Sequence, residues 1–200
     1  MKAVTGYVYD TCLFLRSWYD SPTRMGAWFP SFARTGKMLA GIIRDVNNAK
    51  VVELGAGTGQ VTEQIIATGI KPENFVTIEF DQGFCKALLE KHPKGLNLLN
   101  IDAAKMEEEL PNDFMRNVDY VISTLPLITL GEKKAKEVIE AVFKVMKPGG
   151  VYIQITYTPY KPKYMKELGL KATKLCISWL NLPPTHIWRI CQKKPSVPSE

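Results

Sequence analysis

From residue 50 onward, short β-branched apolar runs alternate with longer segments whose apolar positions recur at helical spacing. That alternation predicts an α/β domain on a mostly parallel sheet. Strands are predicted over 50–54, 74–79, 96–100, 118–123 and 150–156, with helices over 60–68, 82–91 and 132–146. Lys147-Pro148-Gly149-Gly150 is a stop signal and turn after the last of these helices. Two further runs, 172–180 and 186–192, flank Asn181-Leu182-Pro183-Pro184. This connection is too short for a helical crossover, so the two runs should pair antiparallel as a closing hairpin and bring the sheet to seven strands.

Ahead of the sheet, Val4, Val8, Cys12, Leu15 and Tyr19 recur at helical spacing, with Tyr7, Leu13, Phe14 and Trp18 widening the stripe and Lys2 and Arg16 off it. Residues 1–49 are therefore expected to form an N-terminal helical extension, 50–193 the core domain, and 194–200 a frayed tail. The stripe has two readings. One is a helix packed on the core; the other is an interfacial helix with its apolar face at an acyl boundary and its cations at headgroups.

At 200 residues, 46% of them hydrophobic and 23% charged, the chain is sized for one hydrophobic core, which excludes intrinsic disorder. No apolar run approaches the roughly 18 residues of a membrane span, and Asp10 and Arg16 interrupt the N-terminal apolar stretch. A soluble or peripheral protein in the cytoplasm is expected. The four cysteines lie far apart without a C-x-x-C pair and there are two histidines, so neither a metal site nor a disulfide framework is expected. The net charge of +6 is unevenly spread. Residues 1–49 carry six basic against three acidic side chains, 50–150 twelve against fifteen, and 151–200 eight against two. Basic flanks around an acidic middle suit an anionic surface, whether nucleic acid or lipid headgroups.

The acidic middle contains the clearest chemistry. Val51-Val52-Glu53-Leu54-Gly55-Ala56-Gly57-Thr58-Gly59 is a buried strand entering a glycine-dense turn before a helix. Such a turn lets a ligand approach the backbone without meeting a Cβ, and the following helix presents free N–H groups. Glu79 ends the next strand about 20 residues on, where a carboxylate can accept both ribose hydroxyls. The dinucleotide fingerprint would need a glycine at Gln60, which disfavours a pyrophosphate-binding nicotinamide site.

The series Glu53-Leu54-Gly55-Ala56-Gly57-Thr58-Gly59, then Glu79, then Asp102 in Asn100-Ile101-Asp102-Ala103, resembles the class I S-adenosylmethionine-dependent methyltransferases over roughly 50–156. The resemblance implies a Rossmann-like seven-stranded fold with S-adenosyl-L-methionine as cofactor. It implies that Gly55, Gly57 and Gly59, in the loop with Ala56 and Thr58, pass the methionine portion, and that Glu53 contacts its ammonium directly or through water. Glu79 would hold the ribose, Phe80 would pack on adenine, and Asp102 with Ala103 would meet the adenine amine. A sulfonium and an ammonium both favour nearby carboxylates, and this segment is the acidic one. The competing structural readings make Asp102 a turn residue and Phe80 a core residue.

The predicted fourth strand runs into Ser123-Thr124-Leu125-Pro126-Leu127. In RNA adenine N6-methyltransferases the equivalent tetrad reads Asn-Leu-Pro-aromatic, so that an amide and a backbone carbonyl hold the exocyclic amine while a ring stacks on the base. Here Thr124 replaces the amide and Leu127 the ring. Neither that hydrogen bond nor base stacking, worth roughly 1–3 kcal/mol, is available in that form, which favours an aliphatic or lipid-borne amine.

The segments Ser21-Pro22-Thr23-Arg24-Met25-Gly26-Ala27-Trp28-Phe29-Pro30-Ser31 and Trp179-Leu180-Asn181-Leu182-Pro183-Pro184-Thr185-His186-Ile187-Trp188-Arg189, with Leu125-Pro126-Leu127, resemble the bacterial phospholipid (phosphatidylethanolamine) N-methyltransferases. Phe29 departs from the small residue usual before Pro30-Ser31. The likeness implies a peripheral enzyme on the inner face of the membrane, with a phospholipid substrate, an anionic bilayer met by the basic and aromatic flanks, and no nucleic-acid partner.

Methyl transfer to an amine is an in-line displacement that demands a neutral lone pair and close alignment. Ser123, also placed beside the cofactor, the Leu125 carbonyl, Tyr157 and Tyr19 are the candidates for orienting the amine. Tyrosine faces also favour a cation, by roughly 0.5–2 kcal/mol. No general base is evident: His92 is expected in a solvent-exposed Lys-His-Pro turn and His186 in a structural position. Lys161, Lys163, Lys166, Lys171 and Lys174, mixed with tyrosines, suit phosphates. Glu107-Glu108-Glu109 reads as a solvated helix face. Two other functions are compatible with these residues: an RNA adenine or small-molecule amine methyltransferase, and a non-catalytic lipid-binding module.

Overall fold

The computed structural model describes residues 37–92, 95–156, 163–178 and 185–192. In chain order the elements are β1 (Val51–Leu54), α1 (Gln60–Ile66), β2 (Phe75–Ile78), α2 (Gln82–Lys91), β3 (Leu98–Leu99), α3 (Met106–Glu109), β4 (Val118–Ser123), α4 (Glu132–Val145), β5 (Met146–Thr156), α5 (Tyr164–Glu167), β6 (Leu170–Ser178) and β7 (Thr185–Gln192). The seven strands form one sheet in the order β3-β2-β1-β4-β5-β7-β6. All neighbours pair parallel except β5 with β7 and β6 with β7. The seven-stranded sheet and the antiparallel closing hairpin are as expected.

β1, β2 and β4 are near-continuous apolar runs because both faces of a parallel sheet are covered. Along β1, Val52 and Leu54 pack with Val138, Ile139 and Val142 of α4, while Val51 packs with Val61 and Ile65 of α1 and with Leu39 and Ile43. α4 owes its placement to a buried stripe of Ala135, Val138, Ile139, Ala141, Val142 and Val145. Truncating fully buried Ile139 to alanine should cost about 2–5 kcal/mol.

Several boundaries differ from the sequence reading: β6, expected from 172, already begins at Leu170, and three others have a visible cause. β3 keeps two residues of its five, because Leu98 N–H turns back to the Leu96 carbonyl and the strand lies at the sheet edge. α1 stops at Ile66, where Thr68 N–H takes the Ile65 carbonyl and tightens the last turn. Lys147-Pro148-Gly149-Gly150 forms a bulge inside β5: the register steps from Val118 opposite Met146 to Tyr120 opposite Val151.

The order β2-β1-β4 places a topological switch point between β1 and β4, and ligands in open α/β sheets bind outside the carboxyl ends of the strands at such a point. The glycine loop, Glu79 and the 123–127 segment all lie there. Among the described residues no helix is long and apolar enough to cross a membrane. The N-terminal stripe, Tyr19, Phe29, Tyr157, Lys161, residues 179–184 and the tail lie outside the described residues.

Candidate active site

The floor of the site is the turn after β1. Gly55, Gly57 and Gly59 all have positive φ, at 78°, 54° and 83°. At two of them space also demands glycine: a Cβ on Gly55 would come within 2.7 Å of Leu125 Cδ2, and one on Gly59 within 2.6 Å of Leu88 Cδ2. The Thr124 hydroxyl donates to the Gly55 carbonyl, linking the end of β4 to the loop. Lys91 of α2 donates to the Thr58 carbonyl at 2.9 Å, and Ala56 is buried beneath the turn. The loop is thus held from two sides.

Glu79 is buried, and both of its carboxylate oxygens are in use. Gly57 N–H donates to Oε2 at 2.8 Å and Asp81 N–H to Oε1 at 2.9 Å, so the carboxylate bridges the glycine loop and the turn after β2. Each oxygen retains lone-pair capacity for a further donor such as a ribose hydroxyl. Next to it Phe80 is 69% exposed, which excludes the core reading of this ring.

Glu53 is completely buried. Its Oε2 accepts from Thr62 Oγ1 at 2.7 Å and more distantly from Thr77 Oγ1 at 3.3 Å, whereas Oε1 has no partner among the described residues. Burial pushes this carboxyl up to about 7, against the pull of the Thr62 and Thr77 hydroxyls, with the Glu79 charge pushing the same way as burial. A buried carboxylate oxygen without a donor is costly, and a cationic ammonium would satisfy it. With the open glycine cradle and the exposed ring, this donor set fits S-adenosylmethionine: anionic groups for its cationic end, an acceptor for its sugar, a face for its base.

Asp102 caps the short turn at Ala103–Lys105, accepting from Ala104 N–H at 3.0 Å, and forms an ion pair with Lys134 of α4. Partial burial pushes its carboxyl up, but Lys134 and the Ala104 N–H outweigh that and hold it below its ordinary value. Asp102 is therefore a turn residue and a charged group at once. Ala103 beside it is buried.

On the acceptor side, Ser123 is fully buried and its hydroxyl accepts from Leu125 N–H at 3.3 Å. The Leu125 carbonyl accepts from Gln154 Nε2 at 2.9 Å. Leu127 is buried in the core against α4 rather than offered as a stacking surface. His92 is half-buried and not solvent-exposed as expected, because it closes α2 through its backbone bond to the Leu88 carbonyl and its Nε2 lies inside. His186 is buried in β7. Glu107 and its neighbours are exposed, with Glu107 paired to Lys144 at 2.7 Å.

Four contributors escaped the sequence reading: Thr62, Thr77, Asn100 and Gln154. Gln154 carried a legible signal, being one amide inside the apolar run of β5; the others are visible only once the strands are side by side.

The family described as methyltransferase domain matches residues 51–150, half of the chain. The ornithine lipid N-methyltransferase of Singulisphaera acidiphila is 26% identical over 178 residues, spanning 88% of this chain and 92% of that protein. The ribosomal RNA small subunit methyltransferase A of Pelagibacter ubique is 31% identical over 86 residues, 41% of this chain and 32% of that one. Among solved structures, magnesium protoporphyrin IX methyltransferase from Synechocystis PCC 6803, with bound S-adenosylmethionine, superposes with a TM-score of 0.65 at 12% identity, covering 91% of this chain and 97% of that one. Fold, glycine loop and family match agree: this chain belongs to the class I methyltransferases, with S-adenosyl-L-methionine as its cofactor.

Proposed function

We propose that this protein methylates the amine headgroup of a membrane phospholipid such as phosphatidylethanolamine, working at the membrane surface. The observation that carries the reading is the build of the 123–127 segment. The Thr124 hydroxyl is committed to the glycine loop and Leu127 to the core, so this segment presents neither an amide nor an aromatic ring to a flat base. What it leaves beside the loop is the aliphatic Leu125 side chain, which suits a compact amine on a lipid. The long match to a lipid N-methyltransferase supports the same acceptor class.

When bound, S-adenosylmethionine would supply an electrophilic methyl to the amine lone pair, with the pair of the broken S–C bond leaving on sulfur and the amine proton lost to water. The chain need not supply a covalent nucleophile. Glu53, Gly55, Gly57, Gly59, Glu79 and Phe80 hold the cofactor. The Leu125 turn, its carbonyl held by Leu127 N–H and Gln154, lines the acceptor side, and the roles of orienting the amine and excluding water fall to Ser123, Tyr157 and Tyr19. Exposed Lys163, Lys166, Lys171 and Lys174 face anionic phosphates, with half-exposed Leu175 among them.

The test is incubation with methyl-labelled cofactor and vesicles containing phosphatidylethanolamine, in parallel with ornithine-lipid vesicles, free ethanolamine and ribosomal RNA. Label in mono-, di- or trimethylated phospholipid is expected. Label confined to ornithine lipid would move the acceptor to another amino-lipid, and label in RNA or free amine alone would overturn the lipid reading.

A further inference from the structure

We propose that Gln154 is a positioning residue of the transfer reaction, its side-chain amide fixing the backbone of Leu125 and with it the 123–127 segment that lines the acceptor side of the site. This rests on the reading of that segment as the wall against which the acceptor amine is oriented.

Gln154 stands directly beside Ser123 in the β4–β5 pairing, at the carboxyl end of β4, and is buried. A primary amide inside an apolar sheet is unfavourable unless both its ends are satisfied. Here they are. Tyr152, two residues earlier on the same face of β5, donates its hydroxyl to Gln154 Oε1 at 2.6 Å. The carbonyls at the other end decide which way the amide points, since only its nitrogen can donate to them, and the phenol then satisfies the oxygen end. Burial pushes the Tyr152 phenol far above its ordinary value, so it remains a donor throughout the working range. The Tyr152 ring is in turn set edge-on against Phe143 of α4, with centroids 6.1 Å apart.

The nitrogen end faces these carbonyls: Ile155 at 2.7 Å, Leu125 at 2.9 Å and, at the limit of hydrogen bonding, Ser123 at 3.5 Å. Two N–H groups serve them. The Leu125 carbonyl also accepts from Leu127 N–H at 2.9 Å within its own turn, so both of its lone pairs are engaged and the turn is fixed from two directions. A chain of contacts from α4 through Phe143, Tyr152 and Gln154 ends at the backbone of Leu125.

The experiment uses the full chain with Gln154→Met, which keeps length but cannot donate, and Tyr152→Phe, which keeps the ring but removes the bond at the oxygen end of the amide. Circular dichroism establishes that each variant is folded. Expected are a fall in kcat of about 10- to 100-fold for Gln154→Met and a smaller fall for Tyr152→Phe, because displacements near 1 Å cost rates of that order. The dissociation constant for S-adenosylmethionine should stay within about twofold, and product should shift toward fewer methyl groups per headgroup. Turnover within twofold of the unaltered protein in the folded variants, or cofactor affinity lost in step with turnover, would overturn the proposal. If Gln154→Met does not fold, Tyr152→Phe decides alone. If the unaltered protein transfers no methyl to any amine, the underlying reading of the 123–127 segment fails instead.

Discussion

Asn100 clamps the turn that presents Phe80: its Nδ2 donates to the Phe80 carbonyl at 2.8 Å and to the preceding Glu79 carbonyl at 3.0 Å. Cys85 Sγ approaches the same Glu79 carbonyl at 3.4 Å. One amide just past the end of β3 thus holds the backbone of both side chains assigned to the nucleoside. Replacing Asn100 with alanine removes two side-chain bonds worth roughly 1 kcal/mol each and frees the turn. S-adenosylmethionine affinity, measured by calorimetry, should fall about 5- to 10-fold, with a modest loss of stability.

Phe80 separates binding from stability. An aromatic ring 69% exposed contributes little to the core, so Phe80→Ala should change unfolding free energy by no more than about 0.5 kcal/mol. Loss of a stacking face should nevertheless weaken cofactor binding by roughly 1–3 kcal/mol, about 5- to 150-fold. Parallel denaturant melts and calorimetric titrations check both halves.

Gly55 behaves oppositely. Its φ of 78° and the 2.7 Å approach of Leu125 Cδ2 make Gly55→Ala unfavourable before any ligand is considered. The left-handed backbone alone costs roughly 1–2 kcal/mol, which for a chain of this size lowers Tm by about 2–8 °C. The same Cβ pushes Leu125 away from the loop, so amine turnover should fall further than stability does.

Much of this was legible in the sequence, for a physical reason. β1, β4 and α2 were bounded correctly or to within a residue because buried parallel strands are apolar on both faces and α2 begins at an Asp81 cap, whose carboxylate accepts from Phe84 N–H. The glycine loop and Glu79 were visible because their roles depend on chain-local backbone freedom and a fixed spacing. The roles of Asn100, Thr62, Thr77 and Gln154 were not, since each acts on a neighbour brought close only by the packing of strands and helices, although Gln154 stood out as an amide in an apolar run. The β5 bulge was hidden for a similar reason: Pro148 and Gly149 carry the same local signal in a turn and in a bulge, and only Val118 across the sheet distinguishes them.

Glu53 makes stability depend on pH. Its carboxyl rises from an ordinary 4.5 to about 7 in the folded protein. A folded value above the unfolded one means that stability is full below about pH 4.5 and is lost as pH rises toward 7, by on the order of 3 kcal/mol. Thermal melts between pH 5 and 7.5 should show this decline in the cofactor-free protein and a flatter profile in Glu53→Gln. An ammonium against Oε1 favours the ionised form, so cofactor binding near pH 6.5 should release a fraction of a proton. Calorimetry in buffers of different ionisation enthalpy reads that release, which Glu53→Gln should abolish.

The most direct measurement is a crystal structure of the protein with S-adenosylhomocysteine. The ribose hydroxyls should lie within hydrogen-bond distance of the Glu79 carboxylate, the adenine against the Phe80 ring, and the amino group near Glu53 Oε1. A nucleoside bound elsewhere on the sheet, or lying over the glycine loop with its ribose turned away from Glu79, would contradict the account.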